Sequence, residues 1–281
     1  LNRIAAVDLR VNTLKATRQE AKAALERASI DTKETVLSPL GLRLIGNSRL
    51  GETSAFKQGL VEIQDEGSQL IALLCDAKPG MNVVDYCAGA GGKTLALAAS
   101  MGRSGKVVGR LTACDISKPR LDRLRPRLKR AGVTSVKCQT INAHEDCWVA
   151  EQAGKLERVL VDVPCTGMGT WRRDPNMKWL ITPMDLEELI NLQRRILTNA
   201  ASMLRSGGKL IYATCSLLRE ENEYQVGWFL GHHSNFRPIP IDKVWAETIT
   251  SKPPTSSQNL RLSPATTETD GFFCAVFVKI L

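Results

Sequence analysis

Arg158-Val159-Leu160-Val161-Asp162-Val163-Pro164-Cys165 decides the fold. An apolar run this short, ending abruptly in polar residues, reads as a strand buried on both faces of a parallel sheet. Fifty residues on, Lys209-Leu210-Ile211-Tyr212-Ala213 repeats the pattern and leads into Thr214-Cys215-Ser216. A third such run, Met81 to Tyr86, empties into Cys87-Ala88-Gly89-Ala90-Gly91-Gly92-Lys93-Thr94. Open α/β sheets collect ligands and chemistry outside the carboxyl ends of their strands. Both thiols, Asp162 and the glycine-rich turn are therefore expected to face one crevice.

Around these runs the chain alternates strand and helix, which predicts an α/β fold with a doubly wound, mostly parallel sheet. Strands are expected near 82–86, 111–115, 135–140, 157–163 and 208–214, and helices near 92–101, 118–131, 183–204 and 219–231. A late apolar strand, Phe272 to Ile280, follows a Ser/Pro/Thr-rich loop at 251–269. Residues 1–66 differ in texture. Asp8 to Asn12, Thr35 to Leu37, Gly41 to Ile45 and Leu60 to Gln64 read as short strands, and Thr17 caps a helix from Arg18 to Ala28. The reading is a small α+β domain over 1–66, with exposed bases at Lys15, Arg18, Lys22, Arg27, Arg43, Arg49 and Lys57, and a main domain over 67–281. From Asp65 a helix led by Gly67-Ser68-Gln69 should reach Cys75.

The bulk numbers fit that picture. The 281 residues are 43% hydrophobic and 24% charged, ordinary for a soluble globular protein. No apolar stretch approaches the roughly 18 residues of a spanning helix, and no leader pattern is present. Leu1 rather than Met opens the chain, which reads as a piece of a longer protein. A net charge of +9 points to an acidic partner, with nucleic acid first. Eight cysteines (Cys75, Cys87, Cys114, Cys138, Cys147, Cys165, Cys215 and Cys274) show no short zinc spacing, and a chain this large needs no disulfide staples. No metal is expected. Reduced thiols in predicted strands are small core residues, which points to the cytoplasm.

The glycine turn matches neither a P-loop, whose first glycine is here Cys87, nor the dinucleotide fingerprint, whose third glycine is here Thr94. What remains is a turn that lets backbone approach a ligand, better suited to an adenosine without phosphates; a purely structural turn is the alternative. Asp115, closing the second strand, suits ribose hydroxyls, or else caps the next helix. Asn142, after the third strand, suits an adenine edge or a plain turn. Arg120 lies where it can hold Asp115 or the ligand, while most cations of the 118–131 helix are expected only to solvate its outer face. Together these positions read as a methyl-donor site.

Cytosine is not nucleophilic at carbon 5 until something adds at carbon 6, and a thiolate can do so. A carboxyl group such as Asp162 can hydrogen-bond or protonate ring nitrogen 3 and so stabilise the adduct where charge develops. A second basic group must then remove the carbon-5 proton so that the thiol can leave. Two strand-end cysteines and Asp162 supply these parts, although spacing does not say which thiol attacks. Trp171, Arg172 and Arg173, just after Cys165, suit a splayed RNA strand; Trp171 is otherwise loop packing.

The residues resemble the Nop/Sun family of RNA cytosine-5 methyltransferases, in its bacterial RsmB-like branch acting on small-subunit ribosomal RNA. The likeness runs through Arg10-Val11-Asn12-Thr13-Leu14-Lys15, Gln64-Asp65-Glu66-Gly67-Ser68, Asp85 to Thr94, Asp162-Val163-Pro164-Cys165, Ala213-Thr214-Cys215-Ser216 with Glu220-Glu221-Asn222, and Asp270-Gly271-Phe272-Phe273. It implies a Rossmann-like class I methyltransferase with a seven-stranded sheet whose last strand is antiparallel. It implies S-adenosyl-L-methionine held by Cys87, Ala88, Gly89, Ala90, Gly91, Gly92, Lys93, Asp115, Arg120, Asn142 and Asp162. It makes Cys215 the attacking thiol and Cys165 the releasing one; DNA cytosine methyltransferases attack instead with the Pro-Cys thiol. The implied partner is RNA, ribosomal before tRNA, met by a monomer and no membrane. Two positions depart from the family pattern: Gly89-Ala90 replaces Ala-Pro, and Asn142 replaces an aspartate, which should weaken donor binding. The branch's N-terminal helical RNA-binding domain has no counterpart in these residues.

Two rival readings remain. An exocyclic-amine methyltransferase would want Asn/Asp-Pro-Pro-aromatic where Asp162-Val163-Pro164-Cys165 stands. A non-catalytic RNA-binding assembly factor would have no need of Cys165, Cys215 and Asp162 together.

Overall fold

A computed structural model describes residues 4–46, 49–103, 106–142, 147–254 and 257–280. The N-terminal part holds β1 (Asp8–Val11), α1 (Arg18–Glu26), β2 (Thr32–Glu34), β3 (Gly41–Leu44), α2 (Ser54–Lys57) and β4 (Val61–Ile63). Its strands form an antiparallel sheet in the order β2-β3-β1-β4. Leu9, Val11, Leu25, Leu42 and Val61 make the small core beneath it. Thr17 caps α1 through a reciprocal capping box with Glu20. The strand expected at Thr35 to Leu37 lies three residues earlier, at β2. Residues 35–40 instead form a tight return, because the Leu37 and Ser38 amides both donate to the buried Glu66 carboxylate at 2.6 and 2.7 Å. Arg43 is not an exposed base either: it is half-buried, with its guanidinium paired to Asp8 at 2.7 Å.

The main part runs α3 (Glu66–Leu74), β5 (Asn82–Asp85), α4 (Gly92–Ser100), β6 (Gly102–Arg103), β7 (Lys106–Val107), β8 (Arg110–Asp115), α5 (Lys118–Ala131), β9 (Val136–Thr140), α6 (Cys147–Glu151), β10 (Leu156–Asp162), α7 (Pro183–Met203), β11 (Leu204–Thr214), α8 (Glu223–His232), β12 (Phe236–Ile239), α9 (Ile241–Thr248), β13 (Leu260–Leu262) and β14 (Phe272–Lys279). The large sheet has the order β12-β14-β11-β10-β5-β8-β9, with β13 beside β14. β9, β8, β5, β10 and β11 are mutually parallel. β14 is antiparallel and sits between β11 and β12. This is the seven-strand arrangement with one reversed strand, plus β13 at its margin.

Side-chain alternation splits the sheet into two apolar faces. Val83, Leu111, Leu160, Ile211 and Val276 face α3, α4, α5 and α9, with Trp245 in that layer. Val84, Cys114, Val159, Val161, Tyr212 and Phe277 face α6, α7 and α8. Two helical layers on a parallel sheet leave only the strand ends free for a ligand. α8 starts at Glu223 rather than near 219, because Glu221 and Asn222 are held in the loop before it. Residues 255–256 of the Ser/Pro/Thr-rich loop lie outside the described residues.

Candidate active site

The carboxyl ends of β5, β8, β9, β10 and β11 surround a cavity of about 500 Å³. Its wall includes Cys87, Ala88, Gly89, Ala90, Asp115, Arg120, Asn142, Asp162, Cys165 and Cys215. The turn after β5 is tied to the next strand, with Ala88 N–H donating to Cys114 O and Gly89 N–H to Asp115 Oδ2, each at 2.8 Å. Gly89 has φ +55 and open space where a Cβ would stand, so nothing of the protein blocks a ligand there. Gly91 has φ +83, and a Cβ there would come within 2.1 Å of Leu124 Cδ1. Asp115 is buried, its other oxygen accepting from Ser117 N–H at 2.8 Å. Arg120 reaches the wall from the first turn of α5 but makes no ion pair with Asp115; it is exposed.

Gly91, Gly92 and Lys93, expected in the same pocket, do not line it. Gly91 is the left-handed N-cap of α4 and packs on α5. Gly92 turns its carbonyl to Arg10 Nη1 at 2.8 Å. Lys93 is buried under the site and donates to Asp162 Oδ2 at 2.7 Å. Burial alone would weaken its hold on a proton, but Asp162 and Asp85 together raise it, so Lys93 is an ammonium.

Cys165 Sγ and Cys215 Sγ are 3.4 Å apart on the cavity wall. Their surroundings are unequal. The hydrogen bond from Cys165 draws the Cys215 thiol below its ordinary value; Lys93 adds to this, against burial and Asp162. That same bond, burial, the charge on Cys215 and Glu221 push the Cys165 thiol well up. The two thiols are thus biased in opposite directions, Cys215 toward easier and Cys165 toward harder loss of its proton.

Sequence reasoning missed the layer that fixes these two strand ends. Glu221, with no exposed surface, accepts from Thr166 N–H at 2.9 Å, Thr166 Oγ1 at 2.6 Å and Gln193 Nε2 at 3.0 Å. Asn222 accepts from Thr214 Oγ1 at 2.6 Å and donates to Ser216 O at 3.0 Å. Gly169 N–H closes the circle on Cys215 O at 2.9 Å. Strand ends are legible in a sequence, but partners 28 and 55 residues apart are not.

Arg172 and Arg173 are not free for RNA. Both clamp Asp270, at 2.5 Å each, and Arg173 also reaches Asp65 at 3.2 Å. They pin the loop after Cys165 to the β14 entry. Trp171 is half-buried on that pinned loop. From the N-terminal sheet, Arg10 holds Gly92 O and Gln64, and Arg127 links Glu62 (3.1 Å) to Ala90 O (2.5 Å). The turn that lines the cavity is thus gripped at two carbonyls from outside. Among the described residues, no helix is long and apolar enough to cross a membrane.

The family model for 16S rRNA methyltransferase RsmB/F matches residues 72–278. A Synechocystis sp. protein named "Probable ribosomal RNA small subunit methyltransferase B" is 33% identical over 279 residues, 99% of this chain and 61% of its own length. "Ribosomal RNA small subunit methyltransferase B" of Yersinia pseudotuberculosis is 33% identical over 271 residues, 96% of this chain and 59% of its own. The chain thus spans about three fifths of these relatives. The solved structure of PH0851 superposes with a TM-score of 0.88 at 33% identity, covering 99% of this chain and 60% of that one. The chain belongs to the RsmB/F family of 16S rRNA methyltransferases.

Proposed function

We propose that this chain transfers a methyl group from S-adenosyl-L-methionine to carbon 5 of a cytosine in RNA, ribosomal RNA first, through a covalent adduct on Cys215. The observation that carries the reading is the unequal thiol pair, 3.4 Å apart, beside Asp162 and next to the turn after β5.

The cavity suits the donor's adenosyl group. Gly89 leaves room, and each Asp115 oxygen keeps a lone pair beyond its backbone bond for a ribose hydroxyl. Asn142, on the same wall, has an amide oxygen for the adenine amino group. The donor, when bound, supplies an electrophilic methyl carbon. The rest falls to this chain's own residues. Cys215 thiolate forms a bond to ring carbon 6, which makes carbon 5 nucleophilic. Asp162, to which the Lys93 ammonium donates, relays a proton to ring nitrogen 3 as negative charge develops there and takes it back when the ring is restored. Once Cys215 is bonded to carbon 6, its charge no longer holds the proton on Cys165, which passes to solvent, and after carbon 5 is alkylated the Cys165 thiolate takes the carbon-5 proton. The carbon–sulfur bond to Cys215 then breaks and the ring is restored.

Eight free thiols support a reducing, cytoplasmic setting, and a monomer is proposed. Residues 1–66 are proposed as the RNA-binding domain and 67–281 as the methyltransferase domain. The test is to incubate the chain and its Cys165→Ala and Cys215→Ala variants with donor and RNA on denaturing gels, with nucleoside mass spectrometry. We expect 5-methylcytidine from the parent, an RNA-linked band from Cys165→Ala and neither from Cys215→Ala. A band from Cys215→Ala alone would reverse the thiol roles, and a nitrogen-methylated nucleoside would overturn the reaction.

A further inference from the structure

We infer that the groove between α2 and the C-terminal end of α5 holds phosphodiester backbone of the substrate RNA, away from the pocket that takes the target base. The inference rests on the RNA-methyltransferase reading above. The groove is lined by Lys15, Phe56, Lys57, Pro126, Lys129 and Arg130. Behind it stands one carboxylate, Glu62, already shared by Arg127 at 3.1 Å and Arg130 at 2.6 Å. Lys15 donates only to neutral carbonyls, Gln58 O and Arg130 O, both at 2.7 Å. Lys57 and Lys129 are exposed and have no carboxylate within ion-pair distance among the described residues. Four cations thus line the groove, with Arg127 behind them, and among the described residues Glu62 is the carboxylate that pairs with any of them. The carbonyl end of α5 opposes an anion here, and Lys15, seated on Arg130 O, offsets that end.

The chemistry favours phosphate over a stacked base. One face of the Phe56 ring is covered by the Arg130 guanidinium at 4.1 Å from its centroid, and the ring packs against the small core, which leaves it poorly placed to stack a base. Position favours the same strand that feeds the cavity. Arg120, Arg123, Arg127 and Arg130 follow i, i+3, i+7 and i+10 spacing along one flank of α5. Arg120 is on the cavity wall and Arg130 in the groove, about 15 Å apart along the helix axis. Arg120, on the cavity wall, and Arg123, between the two sites, also lack carboxylate partners among the described residues. An RNA strand with one base in the cavity can lay its backbone along this flank.

The test uses the whole chain and a fluorescein-labelled 20-nucleotide single-stranded RNA, with anisotropy titrations across a salt series. Each lost phosphate contact flattens the log–log salt slope by about 0.7. The Lys57→Glu/Lys129→Glu variant should therefore flatten it by about 1.4 or more, with donor affinity by calorimetry unchanged. A Lys243→Glu/Lys252→Glu variant, changed outside the groove, should keep the parent slope. An unchanged slope in the groove variant, or equal flattening in the second one, overturns the groove while RNA binding by the parent stands. A parent chain that binds no RNA at low salt sinks the RNA reading itself, and the groove with it.

Discussion

Cys165 and Cys215 share one sulfur–sulfur hydrogen bond of 3.4 Å, and the charges around them differ: Cys215 feels both the Lys93 ammonium and the Asp162 carboxylate, whereas Cys165 feels the Glu221 carboxylate with no cation to offset it among the causes of its shift. Removing the donor should show which sulfur carries the charge. A hydrogen bond to a charged group contributes about 1.5–3 kcal/mol, or about one to two pH units of thiol acidity. Cys215 alkylation by iodoacetamide, followed by peptide mass spectrometry, should therefore have its midpoint that much higher in Cys165→Ala. The exposed Cys147 serves as internal reference. A midpoint that stays put would mean that Cys165 does not support a thiolate at Cys215.

Asp85 gives stability a pH dependence of its own. Burial pushes its carboxyl up to about 7, against the hydrogen bond from Thr94 Oγ1 at 2.6 Å, and its Oδ1 has no partner. An acid raised on folding binds more protons in the native state, so its contribution is fully present below about 4 and is lost as pH rises through 7. A difference of that size is on the order of 4 kcal/mol. Asp85→Asn, which mimics the protonated group, should flatten the fall in melting temperature between pH 5 and 8. An unchanged fall would assign the pH dependence to other groups.

Sequence and structure agree best where a local rule decides. The bounds of α5 follow from Pro119 at its start, the Leu121, Leu124 and Leu128 stripe, and left-handed Gly132 at its end. The strand-end thiols were legible because each follows an apolar run. β12 was not, since Phe236–Ile239 is a four-residue edge strand that carries Pro238 and fully buries only Phe236. Arg172 and Arg173 looked available because their acceptor, Asp270, lies 98 and 97 residues downstream. Lys93 looked like a ligand contact because nothing local reveals that Asp162 turns toward it.

The outside grip on the glycine turn should show in donor affinity. Arg127 donates to Ala90 O, and it is half-buried against Glu62. Arg127→Leu frees that carbonyl and loosens the turn that lines the cavity. Loss of one such positioning bond, about 1–2 kcal/mol, corresponds to roughly five- to thirtyfold weaker donor binding. Arg127→Lys, which can still donate to Ala90 O, should recover part of it. Calorimetry beside a melting curve separates the two roles: unchanged affinity with a lowered melting temperature would make the contact structural only.

Glu221 is the group whose loss should cost most outside the cavity. Glu221→Ala removes the acceptor of three buried donors and leaves Thr166 N–H unpaired, while Thr166 Oγ1 can turn to Ser216 Oγ and Gln193 Nε2 keeps Pro164 O at 3.0 Å. One unpaired buried donor costs about 1–3 kcal/mol and two weakened ones add to it, so a net loss of about 2–4 kcal/mol in urea unfolding is expected. Glu221→Gln should be far milder, about 1 kcal/mol. Its oxygen keeps the two bonds at Oε1, and its amide can donate to Thr166 Oγ1, whose hydroxyl turns toward Ser216 Oγ at 3.2 Å. Glutamine also removes the negative charge that raises Cys165, so the two thiols should become more alike in their alkylation profiles. Equal destabilisation by alanine and glutamine would mean that the charge of Glu221, not its hydrogen bonds, holds the loop.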